Sequence, residues 1–286
     1  MYGAGAWLLA AEAAQAKPEV ADDDLRIRGI FNSSLPGTEK KHSLRFIFHP
    51  HLGDLLNEDY LRIPIGARYG LTQNWEISGD VEAYFSHGLG DINFFQDSGF
   101  SLVRFGTKYR LERMLFSHWE TAMGVDFSSP VGNPPRQIND GLEHLTPFVT
   151  FARPLENHPD IRLFWGLGAD LVDLSSIRGE LRKNELSDDS VSINAGLVWK
   201  RGVINYTLET SYATTRGIGK VSEDALTIRP GFVWAVPEKY TKSRLGGRWL
   251  IGFGLRATFG EDGTDLGASA KVRVNFDFKK LLGRKK

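Results

Sequence analysis

Histidine and carboxylate side chains cluster at two points of this chain. In HPHLGD, His49 and His51 stand two residues apart with Asp54 following, and in HGLGD, His87 precedes Asp91. Imidazole and carboxylate are ligands for a divalent cation, so either trio or pair could hold a metal at a loop rim. Two-residue spacing in a loop fits ordinary solvated residues equally well, and no metal site is assigned on it. There is no HExxH pair and no glycine-rich phosphate loop ahead of a helix. Cysteine is absent, which excludes disulfides and thiolate chemistry. With no nucleophile placed beside a base, the chain reads as a non-enzyme without a cofactor.

Most of the charge lies at alternate positions of extended stretches. In YGLTQNWEISGDVEAYFSHG, residues 69–88, Trp75, Ile77, Gly79, Val81, Ala83 and Phe85 share one parity, while Glu76, Asp80 and Glu82 share the other. Successive strand side chains point to opposite faces, so this is a strand with one apolar and one charged face. The pattern recurs in twelve segments: 44–48, 61–69, 75–85, 103–111, 119–127, 145–151, 161–171, 191–199, 206–212, 226–234, 249–259 and 268–278. In all twelve the apolar parity holds no Asp, Glu, Lys, Arg or His. No stretch reaches the roughly 18 apolar residues that a membrane helix needs.

Alternation alone fits a soluble sandwich as well as a membrane barrel. Three features favour lipid on the apolar side. Twelve strands close into a barrel too wide for one layer of Leu and Phe to fill, whereas a polar lumen needs no filling. Connections on one side average about 6 residues and on the other about 12, the asymmetry of short periplasmic turns and long outer loops. Trp75, Trp119, Trp199, Trp234 and Trp249 all fall at one end on the apolar parity, as the aromatic girdle of a membrane interface does. The fold class is therefore all-β, a single antiparallel up-and-down transmembrane β-barrel of about 12 strands.

The other parity becomes the pore lining: Arg45, Arg62, Arg68, Glu76, Asp80, Glu82, Arg104, Lys108, Arg110, Glu120, Asp126, Asp170, Glu209, Arg229, Arg256, Lys271 and Arg273, with Arg162, Lys200 and Asp277. Adjacent strands alternate basic and acidic, so many of these charges pair across the ladder. The last two strands and the first two are predominantly basic, which would enrich small anions there. Inward glycines such as Gly66, Gly106, Gly196 and Gly254 clear space or ease strand coiling. Loop 129–142, stiffened by three prolines, is the best candidate to fold into the lumen.

The segment from about Ser43 to Phe278 resembles a bacterial outer-membrane β-barrel. GARYGLTQNWEISGDVEAYF in particular resembles a hairpin of the MetA-pathway-of-phenol-degradation family of outer-membrane channels. Phe278 is similar to the aromatic residue that ends such barrels as an assembly signal, with the basic KKLLGRKK following it here. The resemblance implies passage of small solutes, a lipid bilayer as partner, help from the outer-membrane assembly machinery, and a place in the bacterial outer membrane. Strand number also resembles that of the outer-membrane phospholipase, but the lipid parity carries no His to serve as its base.

The expected organisation is a signal-peptide remnant at 1–16, ending in the small-x-small Ala14-Gln15-Ala16. A periplasmic N-terminal linker at 17–42, the barrel at 43–278 and a basic C-terminal tail at 279–286 follow. Lys plus Arg and Asp plus Glu each number 35, which argues against a nucleic-acid partner. The expected function is a small-solute channel with an anion preference. The alternative is a structural or adhesive barrel whose lumen is closed by internal salt bridges.

Overall fold

Val, Ile, Tyr, Phe and Trp alternating with polar residues suit a pleated sheet with two unlike faces. The computed structural model describes residues 34–52, 60–86, 98–111, 118–132, 134, 138–173, 188–219, 222–237, 240, 248–260 and 263–277. These contain β1 (Ser43–Phe48), β2 (His51–Leu52), β3 (Tyr60–Gly70), β4 (Trp75–Ser86), β5 (Ser98–Arg110), β6 (Glu120–Pro130) and β7 (Glu143–Leu155). Next come β8 (His158–Asp173), β9 (Ser190–Arg201), β10 (Ile204–Thr214), β11 (Asp224–Ala235), β12 (Arg248–Gly260) and β13 (Gly263–Asp277). Each pairs antiparallel with its neighbours, and β1 joins both β13 and β3, so the sheet closes on itself. β1 and β2 are halves of one stave, because Pro50 has no N–H for the ladder. His49 N–H donating to Pro64 O (3.0 Å) and Ala270 N–H donating to Pro50 O (2.9 Å) bridge the break. The result is a closed barrel of twelve antiparallel staves, as the alternation predicts.

Closure makes one parity an outer wall. Phe105 is 61% exposed, whereas Glu76 and Lys108 on the opposite parity are 0% exposed. A soluble sandwich would reverse those values. Phe46, Ile65, Met123, Leu167, Ile193, Phe253 and Leu255 are likewise exposed, all on the parity read as lipid-facing. An apolar band this extensive is out of place in water and suits hydrocarbon.

Two-residue turns at Glu156–Asn157 and Gly202–Val203 mark one end of the barrel, the turn end. The loop end has longer connections at 87–97, 131–142 and 174–189, but the link there between β12 and β13 is only 261–262. Segments 249–259 and 268–278 imply a longer link there; Gly263, at φ 115°, lets the chain reverse sooner. β5 carries a second departure. The ladder slips between Glu82 and Ala83, so Ser101 is the extra residue of a bulge and Phe100 lies on the outer wall, although its number has inward parity. Ser101 Oγ donates to Glu82 Oε1 (2.9 Å), which holds the bulge inward.

Trp75, Trp119, Trp199, Trp234 and Trp249 lie at the turn end. Trp75 Nε1 donates to Thr107 Oγ1 (2.7 Å) and Trp199 Nε1 to Asp160 Oδ2 (2.8 Å). The guanidinium groups of Arg153 and Arg201 lie 4.8 Å above the Trp119 and Trp199 rings. Apolar rings with polar edges and cations above them match a headgroup layer. Trp165 stacks on Phe151 at 4.1 Å and meets Trp119 edge-on, an outer cluster that buries Phe151 and Thr121 despite their outward parity.

Candidate functional site

Residues 34–42, placed by the sequence reading in a linker ahead of the barrel, run inside it. Leu35, 1% exposed, packs with Ala152, Phe164, Val198, Val233 and Leu250 from β7, β8, β9, β11 and β12. Partners spread around so much of the wall place Leu35 within the lumen at the turn end. All five are apolar residues on the otherwise polar parity, which is the one sequence signal that something apolar is received there.

Backbone groups of this inner segment are satisfied by the wall. Lys108 Nζ donates to Leu35 O (2.9 Å) and to Gly37 O, with Glu76 Oε1 at 4.0 Å. Glu76 Oε2 accepts from Glu39 N–H (2.9 Å), Thr150 Oγ1 donates to Ser34 O (2.5 Å), and Thr38 Oγ1 donates to Gln73 O (2.9 Å). Arg45 Nε lies 2.8 Å from Glu39 Oε1 and 2.7 Å from Asn275 Oδ1. Burial raises the Glu39 carboxyl above its usual range, while the Arg45 guanidinium opposes the rise. Gly70 forms the seat. A Cβ there would lie 2.2 Å from Lys40 O and 2.6 Å from Glu39 O, and His42 N–H donates to Gly70 O (2.8 Å).

The other wall charges pair, largely between neighbouring staves. Arg68 meets Asp80 (2.8 Å), Glu120 takes Arg162 (2.8 Å) and Arg110 (3.5 Å), and Arg256 meets Asp265. Arg62 faces Glu82. Inward glycines make these arrangements possible. A Cβ at Gly66 would strike the Asp80 carboxylate, and one at Gly106 would strike that of Asp126. Arg104, by contrast, is exposed inside the barrel.

At the loop end, His144 Nδ1 lies 2.9 Å from Asp170 Oδ2 and its Nε2 lies 3.0 Å from Asp140 Oδ2. Thr146 Oγ1 also donates to Asp170 Oδ1 (3.1 Å). Ile138 and Leu142 are buried and Asn139 Nδ2 donates to Ser101 O (2.9 Å), so the described part of loop 131–142 packs inward. Glu39, Asp140, His144 and Asp265 were missed from sequence because they lay in segments read as loop or linker, or just ahead of a strand's counted start. His49 and His51 are inward, with ring centroids 5.6 Å apart. Asp54, His87 and Asp91 lie outside the described residues, and among the described residues no group of three ligands is arranged for a metal.

The buried charges do not balance. Among the described residues, Arg45, Lys108, Arg162, Arg229, Lys271 and Arg273 are buried cations, against the buried carboxylates Glu39, Glu76 and Glu209. Arg229, Lys271 and Arg273 share Glu209 as a common neighbour. Asp80 also lies near Lys271 and Glu39 near Arg273.

No family model matches the sequence, and no curated protein matches it. Solved structures do. An outer membrane channel from Pseudomonas putida F1 aligns over 83% of this chain and 96% of its own, with TM-score 0.51 and 11% identity. The NanC porin aligns over 82% and 98% with TM-score 0.45 and 10% identity. The KdgM porin aligns over 81% and 98% with TM-score 0.44 and 7% identity. The chain is a twelve-stave antiparallel β-barrel with the fold of the Pseudomonas channel.

Proposed function

We propose that this protein is a narrow channel of the bacterial outer membrane for small solutes, with a wall that favours anions. The observation that supports it most is the inversion of the barrel, apolar outside and charged inside. That arrangement suits a lipid bilayer around an aqueous lumen. The printed description of the Pseudomonas structure as an outer membrane channel agrees with this reading. Solutes would pass beside exposed Arg104 rather than through the packed β11–β13 sector. Refolded protein in a planar bilayer tests it. Discrete ohmic steps with a reversal potential displaced toward chloride in a salt gradient are expected, and persistent silence would reject the channel.

A second reading is a barrel that its own chain keeps shut, with outer loops contacting a partner. The seating of residues 34–42 on Gly70 and Lys108 favours it. If it holds, the full chain is silent and a chain lacking residues 1–41 conducts.

A further inference from the structure

Within the twelve counted segments the outward face of the wall carries no charge. Just past them at the turn end, Arg153 stands two residues beyond Phe151 and Arg201 two beyond Trp199, both on the lipid-facing parity. Arg153 tops a shelf built by three staves. Its guanidinium lies 4.8 Å above the ring of Trp119, just ahead of β6; Trp119 meets Trp165 of β8 edge-on at 6.3 Å, and Trp165 stacks on Phe151 of β7 at 4.1 Å. Leu163 stands opposite Arg153, and Val149 opposite Leu167 carries the apolar surface on toward the middle of the wall.

Arg153 lacks a counter-charge in the protein. Among the described residues it forms no ion pair, and its Nε is buried without an acceptor, which leaves the two terminal nitrogens as the pair that an anion can reach. Glu120, opposite Ala152 on β6, has inward parity and holds Arg162 and Arg110. The ring beneath the guanidinium attracts it but carries no net charge. A cation at the edge of hydrocarbon is costly unless the headgroup layer supplies an anion. Arg201 makes the contrast. It lies equally over Trp199, but it is exposed, and Trp199 Nε1 donates to Asp160 Oδ2, so a carboxylate already stands at that shelf.

We propose that the Arg153 shelf binds a glycerophospholipid of net negative charge, its phosphate held by the guanidinium and one acyl chain lying over Leu163, Trp165 and Leu167. A guanidinium offers two parallel donors that match two phosphate oxygens. A zwitterionic headgroup brings its own ammonium to its phosphate and gains less. One Arg beside an anionic headgroup is worth about fivefold in affinity. The short turns of an outer-membrane barrel lie on the periplasmic side, so the lipid belongs to that leaflet. The site rests on the placement of the barrel in a bilayer and not on conduction.

The test uses full-length protein refolded in detergent, with phosphatidylglycerol and phosphatidylethanolamine of identical acyl chains added in equal amounts and the bound lipid read by native mass spectrometry. About fivefold more phosphatidylglycerol than phosphatidylethanolamine is expected on the protein. Arg153→Gln should bind the two lipids equally and Arg201→Gln should keep the parent's preference, with heat-modifiable gel migration confirming a closed barrel in each variant. Excess inorganic phosphate should not displace the lipid, because the acyl chain contributes to its retention. Equal binding of the two lipids by the parent overturns the site, as does a folded Arg153→Gln protein that keeps the preference. Equal loss in both variants would reveal a diffuse surface charge and overturn it too, and displacement by phosphate overturns the lipid as occupant. Bilayer recordings separate the two proposals. Silence from a protein that still selects phosphatidylglycerol removes the channel and keeps the site, and conductance without lipid preference does the reverse.

Discussion

Lys108 shows how much one buried side chain decides. Its ammonium has three acceptors around it, Leu35 O, Gly37 O and Glu76, and no exposure to solvent. Lys108→Met removes the donor and leaves a buried carboxylate and two carbonyls behind. Loss of about 3–5 kcal/mol is expected, measured as the shift in urea-induced unfolding in lipid vesicles. Adding Glu76→Gln should recover part of that loss, because the double variant no longer strands a charge. Gly70 makes the complementary case by sterics alone. Gly70→Val should leave heat-modifiable migration intact while expelling the inner segment, which trypsin would then cleave near Lys40 and Lys41.

Strand by strand, the two faces differ in what they tolerate, and adjacent residues of β5 expose the difference. Phe105→Arg puts a cation into hydrocarbon and should cost about 2–4 kcal/mol if it lies near the midplane. Arg104→Ala trims a solvated lumen group and should stay within about 0.5 kcal/mol. Equal losses at the two positions in vesicle unfolding would contradict the assignment of faces. That assignment was legible in sequence, because in each of the twelve counted segments the period of two holds and no charge falls on the apolar parity. The bulge at Ser101 was not legible, since a one-residue slip leaves composition unchanged and shows only in the partner strand. Nor was the inner segment. Residues 34–42 carry no periodicity, and their order comes from wall residues far along the chain, such as Thr150 and Lys108. Inward apolar residues such as Val198, Val233 and Leu250 hinted at it, but alternation analysis counts only what the outward parity excludes.

For the molecule as a whole, passage is set by how much lumen the inner segment leaves and by the imbalance of wall charge. Removing residues 1–41 should raise single-channel conductance severalfold without loss of closure, as every ladder from β1 to β13 lies beyond the cut. Anion preference should fade between 0.1 M and 1 M salt as the screening length falls from about 10 Å to about 3 Å. A preference that is unchanged at high salt would contradict its origin in the field of the wall.

Arg45 belongs to β1, and its Nε reaches both Glu39 of the inner segment and Asn275 of β13. One guanidinium thus fastens the first stave to the last and ties the segment to the same point. Coupling of this kind is reciprocal. Whatever free energy the docked segment lends to the meeting of the chain's two ends, the joined ends return to docking. Emptying the lumen therefore weakens the seam without opening it, and straining the seam loosens the segment by the same amount.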